Sequence, residues 1–203
     1  MDLSIIIPCH NLEKFITPML VSLNLQHISQ DTEIIFVCDC CTDNTKNIIE
    51  NFEFTAPYKK ITIIECDCLS CGLARNLGLE AAEGNTIMFL DGDDWLTSYS
   101  SLSIAYNNLV NNNLRIMRFA YEAPGFYAIG HPSMVWQYIY TREIIGETRF
   151  TNIQPDEDLI FNQIIAAKVN GQIPYLPKKL YHYNYMRDGS NIQQFITKGI
   201  IEP

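Results

Sequence analysis

Thr86-Ile-Met-Phe-Leu-Asp-Gly-Asp-Asp94 runs from a hydrophobic strand straight into three carboxylates, with no loop between. Three carboxylates in four residues repel one another, so a cation or a basic group has to offset them. Hard oxygen ligands suit Mg2+ or Mn2+, which take one or two carboxylates together with substrate phosphate oxygens. The plainer alternative is a solvated acidic turn that caps the next helix, with Asp94 set against the helix dipole.

Working outward, the first half repeats one pattern. Ser4-Ile-Ile-Ile-Pro8 reads as a buried strand stopped by Pro8, and the helix after it shows Phe15, Met19, Leu20 and Leu23 at helical spacing. Glu33–Val37 is a second strand, followed by a helix over Asp43–Phe52 with Thr42 or Asp43 as N-cap. Ile61–Glu65 is a third, followed by a helix from about Ser70 to Ala82 that ends at Gly84. Four strands, each followed by a helix, make βαβ units and a Rossmann-like, mostly parallel sheet flanked by helices. Ligands bind such sheets outside the carboxyl ends of the strands. The acidic turn lies there, as do Cys38-Asp-Cys-Cys41 and Cys66-Asp-Cys-Leu-Ser-Cys71.

The second half is less regular. It offers a helix over Ser100–Val110, strands over Arg115–Tyr121 and Val135–Tyr140, and a loop marked by Gly125, Gly130 and Pro132. A helix over Asp156–Val169 follows Pro155, and Leu180–Arg187 alternates like a strand. With no repeat or linker, residues 1–203 read as one domain. About 1–95 make the regular half, and about 96–203 the less regular half with its tail.

The net charge of −9 and pI near 4.8 argue against a nucleic-acid partner and against purely electrostatic docking on anionic lipid. No run approaches 18 apolar residues, and the N-terminus lacks a basic leader, so a cytoplasmic protein without a transmembrane segment is expected. Peripheral association with a membrane stays open. Seven cysteines is an odd number, and a reducing compartment keeps them as thiols.

Four motifs appear in order. They are Ser4-Ile-Ile-Ile-Pro8-Cys-His10-Asn11, Asp39-x-x-Thr42-Asp-Asn-Thr45, Gly72-Leu-Ala-Arg75-Asn-Leu-Gly78 leading into the acidic turn, and Pro155-Asp-Glu157-Asp158-Leu-Ile-Phe161. Together they resemble the inverting family 2 glycosyltransferases of the GT-A fold, over roughly residues 3 to 190. The resemblance implies transfer from a nucleotide-diphosphate sugar, foremost a UDP-sugar, to a hydroxyl of a glycan or lipid-linked glycan. That chemistry belongs to surface polysaccharide or glycoconjugate synthesis. It makes Asp91 and Asp93 ligands of Mn2+ or Mg2+, and Asp158 the base that deprotonates the acceptor. Pro8, His10, Asn11, Asp39, Arg75 and Gly92 fall in donor-binding motifs, with Asp39 on the nucleotide base. Arg187 and Ser190 match a tail that folds over the diphosphate, and His182 a further metal ligand. Glu157 orients a neighbour or contacts the acceptor, and Trp95 packs beneath the sugar or in the core. The structural alternatives are a strand-end turn for Asp39, an ion pair for Arg75, a first-turn carboxylate for Asp158 and a packed strand residue for His182.

The chain also departs from the family pattern Val-Asp-Asp-Gly-Ser-Thr-Asp, placing Cys38, Asp39, Cys40 and Cys41 at its Asp-Asp-Gly-Ser positions. If the Gly position needs a positive φ, Cys40 carries strain. The lost acid supports a second reading, a nucleotide-sugar-binding protein without turnover. A third, a thiolate metal or redox protein, rests on the cysteine clusters, although their spacing is not that of a standard zinc site. A dinucleotide dehydrogenase is disfavoured because no Gly-x-Gly-x-x-Gly follows the first strand.

Overall fold

The computed structural model describes residues 1–123 and 134–185. In chain order the elements are β1 Leu3–Cys9, α1 Ile16–Asn24, β2 Thr32–Asp39, α2 Thr45–Glu50, β3 Lys60–Cys66, α3 Cys71–Ala81, β4 Thr86–Phe89 and β5 Trp95–Leu96. They continue with α4 Ser101–Asn111, β6 Ile116–Glu122, β7 Tyr138–Thr141, α5 Arg142–Ile145, α6 Glu157–Ala166 and β8 Tyr175–His182. One sheet takes all eight strands in the order β3-β2-β1-β4-β7-β6-β8-β5. The four strands read from the sequence pair in parallel; β7 then joins β4 antiparallel and turns the sheet over to the second half.

Strand alternation sorts the core onto two faces. Leu3, Ile5, Ile7, Ile34 and Phe36 pack with α1 and α4 residues, whereas Ile6, Ile35, Val37 and Phe89 pack with α3, Phe150 and Phe161. Helix α3 comes close enough to β1 that a Cβ at Gly78 would collide with Ile6.

Several boundaries differ from the sequence reading. Strand β1 continues through Pro8 to Cys9. The Ile6 carbonyl accepts from Leu90 on the β4 side, so by alternation the Pro8 nitrogen points that way too, beyond the last β1–β4 pair, Ile6 with Phe89. No ladder bond is lost there. Helix α2 is capped at Asn44 and not at Thr42 or Asp43, although Asp43 Oδ1 accepts from the Thr45 amide at 3.0 Å. The expected strand over Val135–Tyr140 is a 3-10 turn, Val135–Gln137, before β7. Strand β8 starts at Tyr175, earlier than the alternation suggested, because Lys178 and Lys179 lie on an exposed stretch of it. Two-residue β5 had no sequence signal.

Cys40 has φ +48°, in the region that glycine occupies without cost. Cys40→Gly is therefore expected to stabilise the fold by about 1 kcal/mol, the usual penalty of a left-handed non-glycine residue. An upward shift of the urea midpoint at unchanged m-value checks this.

Candidate active site

The carboxyl end of β4 meets the start of α6 through one side chain. Arg75 projects from α3 and is 2% exposed. Its Nη1 donates to Asp158 Oδ1 at 2.7 Å and its Nη2 to Asp91 Oδ1 at 2.8 Å, with the guanidinium 5.4 Å from the Phe150 ring centroid. The two acids, 67 positions apart in sequence, share one cation. Asp158 Oδ2 accepts from the Val135 amide at 3.1 Å. Burial pushes the Asp158 carboxyl up to about 6, with Arg75 opposing the rise. Glu157 is raised as well, again by burial against Arg75, and its buried Oε2 has no partner among the described residues.

The Gly72–Gly78 motif builds this junction. A Cβ at Gly72 would sit 2.9 Å from the Thr151 carbonyl and 3.3 Å from Glu157 Cβ, so glycine lets α3 abut the segment leading into α6. Asn76 clamps that segment from both sides: its Nδ2 donates to the Phe150 carbonyl and its Oδ1 accepts from the Phe150 amide.

The acidic turn is pinned from behind by β8. The Tyr181 hydroxyl accepts from the Asp91 amide at 3.0 Å and donates to Asp94 Oδ2 at 2.6 Å; the Asn184 amide donates to Asp94 Oδ1 at 2.7 Å. Asp94, 1% exposed, is the structural member of the three acids, and burial holds its carboxyl well above the usual range. Asp91 and Asp93 remain partly exposed. Gly92 lies against Leu12, Ile16 and Cys9, where a Cβ would come within 2.7 Å of Leu12. Tyr181→Phe removes a donor from a buried carboxylate, and a loss of about 1–3 kcal/mol is expected in chemical denaturation.

Asp91 engages Arg75 through Oδ1 and remains partly exposed. Two hard, partly exposed carboxylates at the carboxyl end of β4 fit a divalent ion completed by phosphate oxygens. His182 does not join them. Its ring stacks on Trp95 at 3.8 Å and 11°, and its Nδ1 lies 3.0 Å from Glu122 Oε1. Among the described residues, the ligand atoms of Asp91, Asp93 and His182 form no close trio. Trp95 and His182 are cross-strand partners in β5 and β8, so both take the packed reading.

Pro8 is buried in β1. His10 Nδ1 donates to the Asp39 carbonyl at 2.6 Å, and Asn11 Oδ1 accepts from the Thr42 and Asp43 amides. These residues tie the loops after β1 and β2 together. Asp39 is 4% exposed, with Oδ1 accepting from the Cys68 and Leu69 amides and Oδ2 from the Ser70 amide. Its carboxylate thus shapes the turn into α3. Asp39, Cys66 and Cys68 place ligand atoms within 4.8 Å of one another. The same Asp39 oxygens are already engaged by backbone amides, and burial pushes the Cys66 thiol up to about 12, which disfavours a Cys66 thiolate there. Arg187 and Ser190 lie outside the described residues.

Sequence reasoning missed Tyr181, Asn76 and Phe150. Tyr181 stood in an alternating tail, where the tyrosine itself was the available signal, because a buried phenol needs a polar partner.

The mostly parallel central sheet flanked by helices is the α/β architecture of GT-A glycosyltransferases. The chain belongs to glycosyl transferase family 2, whose model matches residues 4–159. It is 36% identical over 97 residues to the poly(ribitol-phosphate) beta-N-acetylglucosaminyltransferase TarS of Staphylococcus aureus, covering 47% of this chain and 17% of TarS. It is 29% identical over 213 residues to the uncharacterized glycosyltransferase EpsJ of Bacillus subtilis, covering 89% and 60%. The chain thus spans less than two thirds of these curated relatives. The structure of TarS residues 1–349 with UDP-GlcNAc superposes with a TM-score of 0.81 at 24% identity, covering 95% of this chain and 61% of that one. A mannosyltransferase from Pyrobaculum calidifontis, solved with GDP-Man and Mn2+, gives 0.76 at 18% identity, covering 98% and 64%. Among the described residues, no helix is long and apolar enough to cross a membrane.

Proposed function

We propose that this chain carries the donor-binding and catalytic machinery of an inverting glycosyltransferase that moves a sugar from a UDP-sugar to a glycan hydroxyl. The observation that carries this reading is the Asp91–Arg75–Asp158 bridge, which sets a candidate base with a raised carboxyl beside the acidic turn. Asp158 accepts the proton of the acceptor hydroxyl while that oxygen attacks the anomeric carbon from the face opposite the diphosphate. A carboxyl titrating near 6 is ionised at neutral pH yet still basic enough for the task. Arg75 holds its Oδ1 and the Val135 amide its Oδ2, so the base keeps one orientation. Glu157, with a buried oxygen that lacks a partner among the described residues, contacts the acceptor. When bound, Mn2+ or Mg2+ held by Asp91 and Asp93 offsets the charge of the departing diphosphate.

The donor class is supported by the TarS structures with UDP and UDP-GlcNAc, and an acceptor in surface glycan synthesis by relatives named for poly(ribitol-phosphate) and for teichoic acid. A cytoplasmic site of action, with peripheral contact to a lipid-linked acceptor, fits the same reading. So does a donor half of about residues 1–95 that feeds an acceptor half.

A thermal-shift series of UDP-, GDP- and ADP-sugars, with and without Mn2+, tests it first. Selective binding at 100 times Kd adds about 2.7 kcal/mol by mass action. A UDP-sugar should raise Tm selectively, and more so with metal; indifference to every nucleotide would sink the proposal. Binding without transfer to any hydroxyl acceptor would favour the reading without turnover, which Cys38 at an acidic position of the family pattern supports.

A further inference from the structure

The thiols separate by face. Cys9 and Cys38 are register partners on β1 and β2, and Cys41 packs against the core cluster that contains both. Cys66 belongs to the cluster on the opposite face, and Cys40 Sγ turns to Asp67 Oδ1 at 3.5 Å. The left-handed backbone at Cys40 produces this sorting. In an extended strand Cys38 and Cys41 would point to opposite faces; the reversal at Cys40 folds Cys41 back over Cys38.

We propose that Cys38 and Cys41, a Cys-x-x-Cys pair at the end of β2, form a dithiol site for small disulfides, with Cys41 the attacking and Cys38 the resolving sulfur. Cys41 packs on the face of the sheet that carries Cys38, and its Sγ donates to the Cys9 carbonyl at 3.3 Å. Cys41 is partly exposed, whereas Cys38 is 2% exposed, so an incoming disulfide reaches Cys41 first. The Cys38 hydrogen bond pulls the Cys41 thiol below its ordinary value, with help from the Asn11 backbone and His10, while Cys9, Cys40, Cys66 and Cys71 are all raised. A low-lying thiol beside a protonated neighbour is the arrangement of an attacking and a resolving cysteine.

The step balances. The Cys41 thiolate attacks one sulfur of glutathione disulfide, making a Cys41–glutathione bond and releasing one glutathione thiolate. The Cys38 sulfur then attacks Cys41, forming the Cys38–Cys41 disulfide and expelling the second glutathione; the Cys38 proton passes to a released thiolate. The protein loses two electrons and two protons, and one glutathione disulfide becomes two thiols. Nothing in this step depends on sugar transfer.

The test uses the full chain under native conditions in a Cys40→Gly background, which removes a neighbouring thiol and suits the local backbone. Glutathione disulfide should link Cys38 to Cys41 with loss of two hydrogens, read by fragment mass spectrometry. In Cys38→Ser a stable mixed disulfide should persist on Cys41, and Cys41→Ser should leave Cys38 unmodified. Cys41 should also alkylate at least about tenfold faster than Cys66 near neutral pH, because the Cys41 thiol is lowered while burial raises that of Cys66. First modification at Cys66 or Cys68, or no reaction of Cys41 while a free-thiol control reacts, would overturn the proposal.

Discussion

Asp158→Asn is expected to lower sugar transfer by about 10²–10⁴-fold, the range that a positioned general base supplies. The asparagine carbonyl can still accept from Arg75 Nη1, while its Nδ2 cannot accept from the Val135 amide, so the bridge to Arg75 is kept at the loss of that one bond and of the group that takes the proton. The wild-type rate should fall as pH drops through about 6, where burial leaves the Asp158 carboxyl half protonated. The asparagine variant should show no such limb. The stability sign is separate. A folded carboxyl near 6, above the ordinary unfolded value of about 3.9, binds its proton more tightly in the native state. Its contribution is thus fully present below pH 4 and is lost as pH rises through about 6. The substitution abolishes that loss, so collapse of activity without collapse of the melting transition marks a catalytic effect. Undiminished transfer by Asp158→Asn would remove Asp158 from the mechanism.

Arg75→Met should produce the largest loss of stability. It leaves Asp158 and Asp91 without their shared cation, and breaking a buried pair by removing one partner costs about 3–5 kcal/mol. The surviving carboxylates repel each other through a site from which Arg75 is almost wholly screened from water. Because Arg75 opposes the rise of the Asp158 carboxyl, its removal pushes that carboxyl higher, and the acidic limb of the rate profile should move toward neutral pH. Arg75→Lys tests geometry apart from charge. An ammonium supplies the cation but not the planar fork that reaches two acids at once, so it should restore part of the pH profile and less of the stability. A rate profile unmoved in both variants would mean that the bridge serves packing alone.

The first half was legible because its signals are local. Each strand is a short run of β-branched and aliphatic residues, each helix follows at once, and parallel pairing makes adjacent βαβ units the simplest topology. The second half was less so. Strand β5 is two residues long, and the 3-10 turn before β7 carries the same apolar composition as the strand expected there. Periodicity cannot separate such segments.

The site divides along the same line. Residue types and order placed Asp91 and Asp93 at the carboxyl edge of the sheet, and the family resemblance added Arg75 and Asp158 to the same expected site. It also placed a strained position at Cys40, since the family's glycine is missing there. What the tertiary structure decided is who touches whom. Arg75 stands between Asp91 and Asp158, Asp39 is committed to three backbone amides, Asp94 is held by Tyr181, and His182 lies on Trp95. Each of these pairings joins segments at least 16 residues apart, and most are far longer in range. A carboxylate reads the same in a string whether it faces a metal, a base, an amide or a phenol. Its role is fixed only when folding chooses its partners and removes the water around it.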